Sequence, residues 1–280
     1  MIFLSMLVAI LWLRVLRWNG GAEYLLDSWQ RLLARHLSGG LLLLVAVLLP
    51  VMLLVLCLWQ LAVNLPPVAG LLIGIPVLLL SLGKADLPEV IDHYGEAARR
   101  GDNIAAREWV DTRGAVPLQG ETAIDNSGWD ELHQQALDVI GYTALRRYFA
   151  VLFWFLLAGP AGALFYRLLT GYCCITPAAR LAHPLAARLG SWLEWPVSRV
   201  LALSWALVGQ FDAGMKLVRQ QALAQLPVAV FLGRSLKAAS AAVGQEEAPA
   251  SLQTLEQTPQ LVVRALWLWL CASALITLSW

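Results

Sequence analysis

The apolar stretch from Val151 to Leu169 constrains the fold more than any other feature of this sequence, and it reads VLFWFLLAGPAGALFYRLL. Its only charged residue is Arg167, and its centre is broken by the Gly159–Gly162 run, Gly-Pro-Ala-Gly. A water-soluble domain can bury such a segment only inside a large core. Further apolar segments occur along the chain, so a lipid bilayer is the simpler solvent for all of them.

The composition agrees with a membrane protein. Of the 280 residues, 59% are hydrophobic and 14% are charged, whereas soluble domains carry roughly 25% charged residues. The 13 tryptophans fit a bilayer protein, because indole rings favour the membrane–water interface. The formal net charge is only +1, so no overall field indicates a nucleic-acid partner.

We therefore expect an all-α integral membrane protein, a polytopic helix bundle of about four to six spans with helical cytoplasmic segments. The chain divides into five segments: an N-terminal helix, an amphipathic segment and a transmembrane hairpin (1–82), a cytoplasmic polar helical segment (83–147), central membrane segments (148–211), a second cytoplasmic segment (212–261) and a C-terminal transmembrane helix (262–280).

The sequence predicts some spans more clearly than others. The run 41–63 contains no charge and is long enough to cross a bilayer, and 68–82 returns to form a hairpin with it. The stretch 192–208 holds Glu194 and Arg199 within an apolar background, which suits either a buried span or a helix lying at the interface.

Basic residues set the expected orientation. Placing 19–40, 83–147 and 212–256 in the cytoplasm puts nearly all Lys and Arg residues on the inner side. Because an excess of Lys and Arg marks the cytoplasmic side, we predict a multi-pass protein of the bacterial inner membrane with its main polar segments inside.

The polar segment 83–147 should contain two helical parts. Residues 88–109 are rich in alanine and carry a potential interruption at Gly101. Residues 129–145 repeat apolar side chains at helical spacing, at Leu132, Ala136, Val139 and Ile140. The second helix should therefore bury one face.

Candidate site residues occur mainly in this segment. The chain has no nucleotide-binding or hydrolase motif and no metal-ligand spacing, so we predict no catalytic and no metal residues. Arg107, Asp111, Arg113 and Glu121 straddle a loop rich in glycine and proline. The guanidinium groups could grip a phosphate or carboxylate, or the whole set could form ion pairs on a solvated surface.

Further candidates lie around the apolar stretch. Arg146 and Arg147 precede it and could anchor the helix at the membrane surface or bind a phosphate there. Arg167 could reach the interface with its long side chain. The Gly159–Gly162 run allows either close helix packing or a broken helix that exposes backbone groups to a ligand.

Leu152-Phe153-Trp154, the Gly159–Ala163 run and Tyr166-Arg167 together resemble the LFW…GGPxGA…YR motif of the CobD/CbiB–AmpE superfamily. This superfamily contains membrane-embedded adenosylcobinamide-phosphate synthases and the AmpE branch, whose members are tied to β-lactamase induction. The layout of spans agrees over most of the chain, while the specific motif covers only residues 152–167.

Within this superfamily the sequence is similar to the AmpE branch. Of the acidic positions that the synthase branch carries before LFW, the chain keeps only Asp138, and Arg146 and Arg147 stand where an acidic residue and a glycine are expected. The cationic, aromatic run 145–149 and the Trp195-Pro196-Val197 run instead look like AmpE.

The resemblance implies an inner-membrane regulatory or sensory protein that modulates β-lactamase induction in connection with cell-wall recycling. Its partners would be the lipid bilayer and the cell-wall amidase AmpD, and its ligand a nucleotide with Mg²⁺ or another phosphorylated molecule. The alternative is an ATP-dependent amide ligase of cobalamin biosynthesis, similar to cobinamide-phosphate synthase. The candidate ligand-binding residues are Arg107, Asp111, Arg113, Glu121, Asp138, Arg146, Arg147, Tyr166 and Arg167.

Overall fold

The structure, a computed structural model, describes residues 26, 28–33, 44–64, 69–82, 87–113, 128–175, 184–221, 224, 226–240 and 250–278. These residues are helical apart from short connections, and no strand occurs among them, which confirms the all-α prediction for this part of the chain. In chain order the helices are α1 (Leu49–Asn64), α2 (Ala69–Leu82), α3 (Leu87–Arg99), α4 (Asn103–Arg113), α5 (Trp129–Ala144), α6 (Ala150–Ile175), α7 (Pro184–Val208), α8 (Phe211–Gln221), α9 (Val228–Ser240) and α10 (Leu252–Leu278).

Two short π-helical segments also occur: Leu44–Leu48 precedes α1, and Leu145–Phe149 connects α5 to α6. Residues 28–33 are helical as well. The predicted N-terminal helix, the loop around residues 114–120 and Glu121 lie outside the described residues. The chain forms two compact units. The first comprises Met1–Ala85, Arg147–Glu194 and Trp269–Trp280, and the second comprises Asp86–Arg146 and Trp195–Leu268.

The core of the first unit combines the segment before α1 with the C-terminal half of α6 and with α7. Ala46, Val47, Leu168 and Tyr172 belong to this buried apolar cluster. Gln30, which is buried, adds a polar contact, because its Nε2 donates a hydrogen bond to the Leu168 carbonyl at 2.8 Å. This hydrogen bond therefore connects the side chain of Gln30, in the N-terminal part of the first unit, to the backbone of α6.

Helix α6 is interrupted at Gly159, in the run for which the sequence allowed either close helix packing or a broken helix. Gly159 has φ 66° and ψ −158°, a backbone conformation that L side chains rarely adopt. Three residues later, a Cβ at Gly162 would lie 2.6 Å from the Trp154 carbonyl oxygen. The first glycine thus makes the break, and the second lets the chain pack closely after it.

The second unit begins with the first of the two helical parts predicted from the polar segment, and the structure divides this part into two helices. Helices α3 and α4 are separated by a turn at Gly101, whose φ of 71° explains the interruption. Helix α5 follows and buries Leu132, Ala136, Val139 and Ile140, as their helical spacing predicted.

Two glycines let α5 and α9 approach closely. A Cβ at Gly141 would lie 3.2 Å from side-chain atoms of Leu232 and Leu236 on α9. In the opposite direction, a Cβ at Gly233 would lie 2.7 Å from the backbone nitrogen of Asp138 and 2.8 Å from its Cα. Any side chain at position 233 would therefore force the two helices apart.

A buried hydrogen bond fastens α3 to α5. The Tyr94 hydroxyl lies 2.8 Å from Nδ1 of His133, and both side chains are buried. Burial raises the pKa of Tyr94, so the phenol keeps its proton and donates it. Burial also lowers the pKa of His133, with the charge of Asp130 acting in the opposite direction, so the neutral imidazole accepts at Nδ1.

Two helices of the described chain are long and apolar enough to cross a membrane: Trp129–Tyr172, which continues α5 into α6, and Leu252–Ile276 in α10. The apolar helices Leu44–Gln60 and Ile73–Leu82 are shorter. Helix α7 is not among the candidates, since Arg188, Glu194 and Arg199 interrupt its apolar character. The total of four to six spans stays a prediction.

Replacing Gly233 with alanine should destabilise the second unit by about 1–3 kcal/mol, because the added methyl group meets the backbone of Asp138. The measurement is the midpoint of thermal unfolding of the full chain in detergent. Gly190→Ala in α7 is the matched control, since nothing lies within 4 Å of its Cβ position, and it should be neutral or slightly stabilising. Equal midpoints for the two variants would contradict the packing argument.

Acidification below about pH 6.5 should reduce the contribution of His133 to stability. The unfolded chain binds a proton there more readily than the folded chain, so this contribution rises with pH up to about 6.5 and falls as pH drops below it. Unfolding midpoints of the wild type and of His133→Gln between pH 5 and pH 8 measure it, because the other titrating groups are common to both proteins. The wild type should exceed the variant by more at pH 7 than at pH 5. A constant difference would contradict this role of His133.

Candidate functional site

Asp138 is a buried carboxylate at the interface of α5 and α9. Its side chain is 5% exposed, and its Oδ1 accepts a hydrogen bond from Nε2 of Gln134 at 3.0 Å. Gln134 stands one turn earlier on α5, so the helix itself supplies this donor. A Cβ at Gly233 would come within 1.8 Å of the same oxygen, which shows how tightly α9 covers the carboxylate.

The environment of Asp138 favours the protonated acid. Burial raises the pKa of Asp138 to about 7, while the hydrogen bond from Gln134 and the positive charge of Arg234 act in the opposite direction. Asp138 precedes the apolar part of the long helix: residues 129–147 include five charged residues, whereas 148–166 include none. At neutral pH this group therefore exchanges between a carboxylate and a carboxylic acid.

Three of the predicted ligand residues lie together on α4. Asp111 and Arg113 are exposed, Arg107 is half-buried, and Arg107 and Asp111 stand four residues apart on one face. The Arg113 guanidinium lies 5.6 Å from the centre of the Trp109 ring. Trp109 itself is buried, so it holds this end of α4 in place while Arg113 stays accessible.

The predicted arginine pair lies in the π-helical segment between α5 and α6. The Arg146 guanidinium is 5.4 Å from the centre of the Tyr142 ring, in a cation–π contact within the second unit. Arg147 is half-buried and belongs to the first unit. Arg146 is thus oriented by a neighbouring aromatic ring on its own helix.

The remaining two candidates belong to the first unit. Tyr166 is completely buried, and its hydroxyl donates to Oε1 of Glu194 on α7 at 3.3 Å. Glu194 is 6% exposed, and Arg167, which follows Tyr166, is half-buried. The tyrosine of the YR pair therefore contacts a buried carboxylate.

Sequence reasoning did not assign three residues to these sites: Gln134, Glu194 and Arg234. Two of them carried a signal, since Gln134 stands one turn before Asp138 and Glu194 is a lone acid in an apolar run. Arg234 is distant in sequence, and only the packing of α9 on α5 brings its charge to Asp138. Within the residues that the structure describes, no cluster of three or more His, Cys, Asp or Glu side chains could hold a metal ion.

Chemically, the second unit offers cationic side chains on accessible surfaces and one carboxyl group sealed between helices. The guanidinium of Arg113 can bind phosphate or carboxylate oxygens in a bidentate manner. The carboxyl of Asp138 can take up or release a proton but has little surface to offer a ligand. Whether the nine predicted residues bind a common ligand stays a prediction.

Comparison with known proteins identifies the family. The family model described as regulatory signalling modulator protein AmpE matches residues 1–219. The cobalamin biosynthesis protein CobD of Chromobacterium violaceum is 27% identical over 235 residues, covering 74% of this chain and 71% of the relative. No solved structure matches the chain. The match covers more than half of the sequence, includes the LFW motif, and shows that the chain belongs to the AmpE family of regulatory signalling modulators.

Proposed function

We propose that this protein is an AmpE-type regulatory or sensory protein of the bacterial inner membrane, which modulates β-lactamase induction in connection with cell-wall recycling. The family match supports the regulatory role. The structural observation that carries the proposal is the burial of Asp138. The one acidic residue kept from the synthase pattern is enclosed between α5 and α9 and bound by Gln134.

Exposure along α10 supports the membrane placement. Its exposed residues are polar up to Arg264, and they become apolar from Trp267 onward, where Trp267 and Leu275 are both exposed. An arginine followed by a tryptophan is typical of a helix entering a bilayer from the cytoplasmic side. Such a large exposed apolar face would be costly in water but not in lipid.

The ligand-binding surface of this proposal is formed by cations of the second unit. Arg107 and Arg113 on α4, together with Arg146, would contact a phosphorylated ligand such as a nucleotide, with acids such as Asp111 available to a bound Mg²⁺. Asp138 would act through the packing of α5 on α9 rather than by touching the ligand. The amidase AmpD, or another protein of cell-wall recycling, would respond to the ligand-bound state.

The relative named CobD supports a second candidate function, an ATP-dependent amide ligase of cobalamin biosynthesis. Such chemistry would require accessible carboxylates for a metal–nucleotide complex. In this chain Asp138 is sealed, and Arg146 and Arg147 replace residues of the acidic pattern. Complementation of a strain that lacks cobinamide-phosphate synthase tests this alternative, and we expect no growth without added cobalamin.

Deleting the gene in a strain with inducible β-lactamase should shift, by several-fold, the inducer concentration that gives half-maximal β-lactamase activity. Removing a regulator changes the inducer concentration at which the pathway responds. A plasmid copy of the gene should restore the wild-type concentration. Arg107→Gln combined with Arg113→Gln should behave like the deletion, because both guanidinium groups are lost. Gln253→Glu combined with Gln257→Glu on α10 is a control of equal charge change. An induction curve unaffected by the deletion would refute the regulatory role.

Asp138→Asn should retain β-lactamase induction, because the amide keeps the shape of the buried group. The variant should also lose the part of the pH dependence of stability that Asp138 causes. The folded protein binds a proton at Asp138 more strongly than the unfolded chain, so the contribution of Asp138 to stability falls as pH rises from about 4 to about 7. Over this range the unfolding midpoint of the wild type should fall relative to that of Asp138→Asn. Asp111→Asn, on an exposed site, is the control, and loss of induction in Asp138→Asn would favour a direct chemical role.

A further inference from the structure

The outer face of the C-terminal half of α7 is apolar although it is exposed. Val200, Leu203 and Leu207 lie on one side of the helix and are 41%, 37% and 58% exposed. The opposite side, including Leu201 and Trp205, is completely buried in the second unit. A surface helix of a soluble protein carries polar residues on its outer face, so we do not expect this apolar face to contact water.

The rest of the second unit gives the contrast. Helices α3 and α4 expose acidic and basic side chains, among them Glu96, Arg100, Glu108 and Asp111. The first half of α10 exposes Gln253, Glu256, Gln257 and Gln260. Apart from Ile104 on α4, Phe211 on α8 and Trp267 on α10, the large apolar side chains exposed in the described part of this unit lie on α7.

The helix that follows α7 packs against its last turn and carries exposed cations. The backbone N–H of Gln210 donates a hydrogen bond to the Ala239 carbonyl at 2.9 Å. This bond holds the turn between α7 and α8 against α9. A Cβ at Gly214 would lie 2.7 Å from the Cβ of Ala206, so α8 packs directly on the last turn of α7. Lys216 and Arg219 are exposed on α8 and follow the exposed ring of Phe211.

Charge in this region has one dominant sign. Helices α8 and α9 together carry four cations, and their only acidic residue is Asp212. Along the chain from α7 to α8, the exposed side chains thus change from aliphatic through an aromatic ring to lysine and arginine. This order matches the order of acyl chains, interface and anionic headgroups in a phospholipid leaflet.

We propose that this surface, formed by Val200, Leu203, Leu207, Phe211, Lys216 and Arg219, inserts into a leaflet that contains anionic phospholipids. The aliphatic residues contact acyl chains, and the two cations bind headgroup phosphates. From Val200 to Leu207 the helix advances about 10 Å at 1.5 Å per residue. This length suits insertion at the interface, to a depth of about 5–10 Å, rather than a crossing of the roughly 30 Å hydrocarbon core.

The inference rests on the proposed membrane placement and extends it to a helix that is not a candidate span. Its first test uses nitroxide labels on the full chain in nanodiscs, after replacement of Cys57, Cys173, Cys174 and Cys271. Labels at Leu203→Cys and Leu207→Cys should collide more with oxygen than with a water-soluble nickel chelate. A label at Gln253→Cys, on the polar part of α10, should show the reverse.

A label at Leu157→Cys on α6 separates the two proposals, because this residue is exposed within the apolar stretch. If it is lipid-exposed while the two α7 labels are water-exposed, the α7 inference is overturned and the membrane placement stands. If all three are water-exposed, both are overturned. Spin–spin broadening between copies at Leu203 or Leu207 would mean that a second copy covers the face, which also overturns the inference.

The second test measures the lipid preference. Native mass spectrometry of the chain from mixed micelles should show more bound phosphatidylglycerol than phosphatidylcholine. Lys216→Gln combined with Arg219→Gln should reduce this preference about tenfold or more, since each cation near an anionic surface contributes several-fold. Gln253→Glu combined with Gln257→Glu is the control of equal charge change and should keep the preference. An equal effect in both double variants would indicate net charge alone and overturn the assigned contact.

Discussion

The close contact of α5 with α9 is the constraint on which the second unit depends. Gly141 and Gly233 remove the side chains that would hold the two helices apart, and the space gained is filled by Leu232, Leu236 and the carboxyl group of Asp138. The acid is therefore part of the packing and not a group projecting into a cleft. A charged carboxylate in this position loses most of its hydration, so its proton affinity is set by how tightly the helices close.

This arrangement gives the second unit two buried titratable groups with opposite behaviour. His133, hydrogen-bonded to Tyr94, contributes less to stability as pH falls, whereas Asp138 contributes less to stability as pH rises. Their contributions to the stability of the second unit therefore change in opposite directions as pH rises. In both cases burial makes the proton affinity of the side chain depend on how the helices pack.

Local sequence patterns predicted the features that depend on local chemistry. The apolar spacing of Leu132 and Ile140 gave the buried face of α5, and Gly101 and Gly159 marked the interruptions that the structure contains at those positions. The approach of Gly233 and Arg234 to Asp138 was not predicted, because the pairing of α5 with α9 joins regions far apart in the chain. The Tyr166–Glu194 hydrogen bond is similar, since neither residue signals the other within its own helix.

The break in α6 has a consequence for how the chain fits bilayers of different thickness. An uninterrupted helix of 26 residues would be about 39 Å long, which exceeds the roughly 30 Å of hydrocarbon. A rigid rod of that length must tilt as a whole to hide its ends. Gly159 divides α6 into residues 150–158 and 160–175, which are about 14 Å and about 24 Å long at 1.5 Å per residue. Each piece is shorter than the roughly 30 Å of hydrocarbon, so the chain is not bound to the single tilt of a rigid rod.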